Sequence, residues 1–285
     1  MTRTTLGLGF SSCPNDTFAF HALVHGLVDV PRVRFAPRLD DIEELNHRAA
    51  GDDALPVTKL SVFAALFLLD RYQVLPSGAA LGRGVGPLVV VRRDGTRPDR
   101  LVELAGRRVA IPGERTTANL LLGEFGPDGI ERVPMRFDAI LAAVANGDVD
   151  AGLVIHESRF TYPGFGLERL VDLGELWEAT TGLPLPLGVM AAHRGLSAAT
   201  RRAIGHGIAS SVRYAQAWPQ ASREYVRAHA QELSDDVCAR HIALYVNEFT
   251  VDLSAEGKTA LDALAARARA AGLAPDGPSL IDGEE

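Results

Sequence analysis

Hydrophobic and polar positions alternate with period two over Thr5-Leu6-Gly7-Leu8-Gly9-Phe10, then take helical spacing from Pro14 to His25. The same switch recurs along the chain. Val33 to Phe35 predicts a strand and Asp40 to Ala50 a helix. Pro87-Leu88-Val89-Val90-Val91 is a β-branched run that predicts a buried strand. Arg108-Val109-Ala110-Ile111 predicts another, followed by a Pro112-Gly113-Glu114-Arg115 loop and a helix from Thr116. Phe137 to Ala145 reads as a helix and Ala151 to Ile155 as a strand. From about Ser197 to Ala271 the pattern is nearly all helical. Strands and helices that alternate in this way predict an α/β fold, with parallel sheets covered by helices.

A weak internal repeat divides the pattern in two. Leu8-Gly9-Phe10, loop and helix match Val109-Ala110-Ile111, loop and helix. The Ile42-to-Leu45 helix with Gly51 and a strand reaching Thr58 matches Ala139 to Ala142 with Gly147 and a strand reaching His156. The expectation is two similar lobes, one from residues 1–88 with 189–285 and one from 89–188, crossed near Leu88 and Leu187. Ligands of open α/β sheets bind beyond the carboxyl ends of strands. A cleft between the lobes is therefore expected to gather the loops near Ser11, Thr58, Pro112 and His156.

Length agrees: 285 residues suit two domains or one large α/β unit. The net charge of −7 argues against a nucleic-acid partner. The longest apolar run, Leu60 to Leu69, is about half of the ~20 residues a membrane span needs. No secretory-type apolar segment opens the chain, so a cytoplasmic location is expected. Cys13 and Cys238 stand far apart and give no metal or redox spacing. No metal and no cofactor are expected.

Four segments carry candidate chemistry. Thr116 and Thr117 open an apolar helix after a Pro-Gly loop; either can cap it, and free N–H groups with two hydroxyls can seat an anion. His156 ends an apolar strand, and an imidazole with a pKa near ~6.5 is suited to taking a proton at neutral pH. Lys59 and Ser61 hold the equivalent place in the first lobe. The only other lysine is Lys258, so a generic positive charge at position 59 would sooner be arginine. Asn15 and Asp16 read as the N-cap pair of the first helix and face the same cleft. Three other patterns fail on context. His21 and His25 lack the glutamate of a zinc-protease helix. Gly82, Gly84 and Gly86 precede a strand rather than the helix a dinucleotide site requires. Cys13 has no histidine specifically paired with it.

Several longer motifs resemble one family. These are Ser11-Ser12-Cys13-Pro14-Asn15-Asp16-Thr17-Phe18, Val57-Thr58-Lys59-Leu60-Ser61, the segment Gly78 to Pro87, Ile111-Pro112-Gly113 with Thr116-Thr117-Ala118, and Gly152-Leu153-Val154-Ile155-His156-Glu157. Val171-Asp172-Leu173-Gly174 with Trp177, Thr181 to Gly188, and Tyr245 to Phe249 extend the match over almost the whole chain. Together they resemble the 1,4-dihydroxy-6-naphthoate synthases of the futalosine route to menaquinone. Ser12 departs from the proline usual there, which bears on the fit near Asn15 and Asp16. The resemblance implies a two-lobed, type II periplasmic-binding-protein-like fold. It implies a lyase that converts cyclic dehypoxanthinyl futalosine to 1,4-dihydroxy-6-naphthoate and dihydroxyacetone. It implies a histidine base, which falls on His156, and substrate contacts from Lys59, Leu60 and Ser61 and from Thr116 and Thr117. The partner is then a small molecule, and the helical C-terminal third offers faces for a homodimer. Two alternatives stand beside this expectation: a chorismate dehydratase-like enzyme on the same fold, and a small-anion solute-binding protein.

Overall fold

Alternation puts Leu6, Leu8 and Phe10 on the buried face of β1 (Thr4–Phe10). In the computed structural model, which describes residues 3–93, 98–230 and 234–281, β1 pairs in parallel with β2 (Val33–Leu39) and β3 (Val57–Ser61). The chain divides into two compact units: Met1–Gly82 with Pro186–Glu285, and Arg83–Leu185.

The first unit's sheet runs β2-β1-β3-β11-β4, with β4 at Tyr72–Val74 and β11 at Leu185–His193. The short β5 (Ala80–Gly82) also pairs with β11. Its core joins Leu8, Phe10 and Phe20 to Met190, Ile204, Ile208 and Val212, so it draws on both chain segments. The Pro14–Val24 helix is buried from Pro14 to Leu23. It lies against the long Ala198–Ala217 helix, whose Ser211 hydroxyl donates to Ala19 O at 2.7 Å and accepts from Leu23 N at 3.0 Å.

In the second unit, β7 (Arg108–Ile111) pairs in parallel with β8 (Glu131–Pro134) and β9 (Ala151–Val154). β6 (Leu88–Arg92) runs antiparallel to both β9 and β10 (Leu167–Asp172). Leu88, Val90, Ile140, Val144 and Val154 form a separate core here.

Read from its parallel edge, this sheet is β8-β7-β9-β6-β10, the same plan as β2-β1-β3-β11-β4. Matching pairs mark the repeat: Gly9 lies beside Thr58 as Ala110 lies beside Gly152. The sheets are mixed, where alternation alone predicted parallel ones. The antiparallel members are β6, against β9 and β10, and β11, against β3 and β4. The helix expected over Phe137 to Ala145 opens as a 3-10 turn, Phe137–Ala139, and continues as Ile140–Asn146. Gly147 ends it at φ 83°, a left-handed C-cap that glycine takes without strain. Among the described residues, no helix is long and apolar enough to cross a membrane.

Candidate functional site

Each unit presents one cluster of polar side chains near the ends of its parallel strands. In the first unit, β1 ends at Phe10 and the helix begins with Pro14 at its first position, where a missing N–H costs nothing. Cys13 is therefore the N-cap, and the expected capping pair sits one step inside the helix. Asp16, in the first turn, reaches back instead. Its Oδ2 accepts from Ser11 N at 3.1 Å and Ser11 Oγ at 2.8 Å. Its Oδ1 accepts from Asn15 Nδ2 at 2.9 Å and Lys59 Nζ at 2.7 Å. About four acceptor positions are all that a carboxylate offers, so Asp16 is saturated from within the unit.

All five residues of β3 are buried. Period two sends Lys59 and Ser61 to one face and Leu60 to the other, and Leu60 is completely enclosed. Lys59 is only 4% exposed, yet it is well compensated. Besides Asp16 it donates to Gly78 O at 3.1 Å, and its Nζ lies 5.6 Å from the centre of the Phe20 ring. An ammonium has three N–H donors, and these two hydrogen bonds use two of them. Ser61 is fixed by Asn46: its N–H donates to Asn46 Oδ1 at 3.0 Å, and its Oγ accepts from Asn46 Nδ2 at 3.1 Å.

In the second unit, Thr116 is the N-cap of the Thr117–Phe125 helix. Its hydroxyl accepts from Asn119 N at 3.2 Å and donates to Gly113 O at 2.9 Å. Thr117 is the first helical residue; both threonines are 2% exposed. The positive end of the helix dipole favours an anion here.

β9 stops at Val154, and His156 follows in a turn with φ 56°. Few non-glycine residues adopt this conformation, and it is favoured at sites that must aim a side chain. The ring is half-buried and meets Phe137 edge-on, with centroids 4.9 Å apart. Arg159 N donates to His156 O at 3.3 Å. The Arg159 guanidinium donates to Asp172 Oδ2 at 2.7 Å and to Gly86 O. Asp172 Oδ1 in turn accepts from Gly174 N at 2.8 Å, capping the Leu173–Thr181 helix. Gly86 and Gly174 nearly touch: a Cβ on Gly86 would lie 2.2 Å from Gly174 N. The strained turn is thus anchored through Arg159 to a rigid junction.

Sequence reading did not single out Asn46, Arg159 or His241 for this chemistry. Asn46 lies within the predicted Asp40-to-Ala50 helix and Arg159 just beyond the strand predicted to Ile155, and only their contacts give them roles. His241 meets Asn15 at 2.9 Å across a separation of 226 residues, and no spacing rule reaches that far.

Comparisons with known proteins show which family the chain belongs to and which fold it shares. Residues 6–270 match a family model described as "Menaquinone biosynthesis". The chain is 52% identical to "1,4-dihydroxy-6-naphtoate synthase" of Thermus thermophilus, over 96% of this chain and 97% of that protein. It is 46% identical to the protein of the same name from Streptomyces coelicolor, covering 96% of each. Among solved structures it resembles the alkanesulfonate-binding protein SsuA of Xanthomonas axonopodis pv. citri bound to MOPS. That match has a TM-score of 0.69 and 16% identity and covers 97% of this chain and 96% of that one; it shows a periplasmic-binding-protein-like fold. With nearly every residue of its two repeated units inside these matches, the chain belongs to the menaquinone-biosynthesis family, alongside relatives named as 1,4-dihydroxy-6-naphtoate synthases.

Proposed function

We propose that this chain is a carbon–carbon lyase that converts cyclic dehypoxanthinyl futalosine to 1,4-dihydroxy-6-naphthoate and dihydroxyacetone, with His156 as general base. The observation that carries the reading is the His156 turn. A histidine at positive φ, followed by an arginine paired with the buried Asp172, is a costly arrangement if its ring has no task. In this proposal His156 takes a proton from the activated carbon beside a carbonyl. The electrons of that C–H bond move into the ring system, the bond to the three-carbon fragment breaks, and the new ring becomes aromatic. The proton returns to the departing fragment. Thr117 and the N–H groups after Thr116 seat the carboxylate. Lys59, through its remaining N–H, and Ser61 donate to an oxygen that gains charge as the bond breaks. Leu60 holds the strand that carries both. Asn15 and Asp16 act on the substrate through Lys59, because Asp16 has no acceptor position left over.

The test is to incubate the purified protein with the cyclic futalosine derivative and follow naphthoate absorbance. Turnover is expected. Tight binding without product would overturn the proposal in favour of a solute-binding protein. A positioned base contributes ~10²–10⁴-fold, so His156→Ala should lose at least roughly 100-fold in kcat with its fold intact. Near-normal turnover in that variant would remove His156 from the mechanism. Thr117→Val should raise KM more than it lowers kcat.

A further inference from the structure

The polar network around Lys59 extends to a histidine on the far C-terminal segment of the same unit. His241 lies on the Asp235–Tyr245 helix, is 1% exposed, and has its ring 4.7 Å from that of Tyr245. The hydrogen-bonding roles along the chain are forced. A lysine ammonium only donates and an aspartate carboxylate only accepts. Asn15 must therefore offer its amide N–H to Asp16 Oδ1, which turns its own Oδ1 towards His241 Nε2 at 2.9 Å. His241 must then carry a proton on Nε2. Without that donor, Asn15 Oδ1 would be a buried acceptor with nothing to accept, and the amide would turn to find a partner. Its N–H would leave Asp16, whose Oδ1 also holds Lys59 Nζ at 2.7 Å.

We propose that His241 is a positioning residue which, through Asn15 and Asp16, sets the direction of the Lys59 ammonium. This rests on the reading above, in which Lys59 donates to the reacting substrate. The protein offers a clean probe, because Lys59 and Lys258 are its only lysines. Labelled with ¹⁵N-lysine, it should give separate Nζ signals for the two. His241→Leu should move the Lys59 signal and leave that of Lys258 in place. His241→Gln, which returns an N–H donor at similar reach, should restore it. On the proposed substrate, His241→Leu should lower kcat by roughly 10-fold, the effect of losing about one net hydrogen bond, with KM changed much less. His241→Gln should recover most of that loss. If His241→Leu does not fold, His241→Asn, whose amide is too short to reach Asn15, takes its place. An unmoved Lys59 signal, or one that glutamine fails to restore, overturns the proposal. Absence of turnover by the unmodified protein overturns the functional reading instead, and the lysine signals still decide the role of His241.

Discussion

His156 holds a backbone conformation that glycine adopts freely and other residues adopt at a cost on the order of 1–3 kcal/mol. Two variants separate the backbone from the ring. Both His156→Ala and His156→Gly remove the ring and its edge-on contact with Phe137, but only glycine relieves φ 56°. At ordinary positions glycine is less stable than alanine by about 0.5–1 kcal/mol. Here the order should reverse, with His156→Gly more stable than His156→Ala by about 1 kcal/mol in denaturant unfolding and both lacking turnover. Alanine being the more stable of the two would mean that the turn carries no strain. Part of this was legible from the sequence: a histidine after an apolar strand marked the position, and the rarity of lysine marked Lys59. The left-handed turn was hidden, because nothing local in Ile155-His156-Glu157 calls for positive φ, and the contacts of the following Arg159 reach Asp172 and Gly86 on other elements. Asp16 was legible as a polar residue near a helix start but not as a saturated counter-ion, because Pro14 moves the cap back to Cys13.

Helices that carry polar residues into a core take on a pH dependence, and the Pro14–Val24 helix is such a case. It buries Asn15, Asp16, Thr17 and His21 along with its apolar residues. His21 is 8% exposed, and its Nδ1 meets no partner among the described residues. Around it stand His25, with ring centroids 4.4 Å apart, and Tyr225 at 5.7 Å; His229 lies beyond, against Tyr225. Burial, and secondarily the charge of His25, push the pKa of His21 below its ordinary 6.5. Between the lowered value and 6.5 the unfolded chain binds more protons than the folded one, so stability rises with pH across that interval. The contribution is whole above about 6.5 and is lost as pH falls towards the lowered value. The unmodified protein should therefore lose thermal stability from pH 7 to pH 5 more steeply than His21→Leu, which has no proton to take up there. Equal slopes in Tm against pH would show that other groups set the acid limit. The i, i+4 spacing of His21 and His25 was visible in the sequence, and its use in packing against Tyr225 was not, because Tyr225 arrives from about 200 residues later. The same reason hid β11: Leu185–His193 contains Pro186, Gly188 and two alanines, weak strand formers that become a strand between β3 and β4.

Across the whole molecule, the repeat was the most informative pattern, because two β-α-β-α-β segments with matching registers need the same sheet order. That the first unit is built from two separate chain segments, Met1–Gly82 and Pro186–Glu285, has a consequence for folding. The first unit's core needs Met190, Ile204, Ile208 and Val212 as much as it needs Leu8 and Phe20, and its sheet lacks the link between β3 and β4 until β11 is added. The second unit takes its five strands and its core from the continuous segment Arg83–Leu185. A chain ending at Leu185 should therefore hold one folded unit. Hydrogen exchange should show amides of β6, β7 and β9 protected, while those of β1 and β3 exchange at nearly the rate of an unfolded chain. Supplying residues 186–285 as a separate polypeptide should restore protection to β1 and β3, since the missing core and strand are then present at the cost of an intermolecular association. Protection of β1 in the truncated chain alone would mean that the Met1–Gly82 segment closes a core of its own, and that the C-terminal helices cover the unit without being needed to build it.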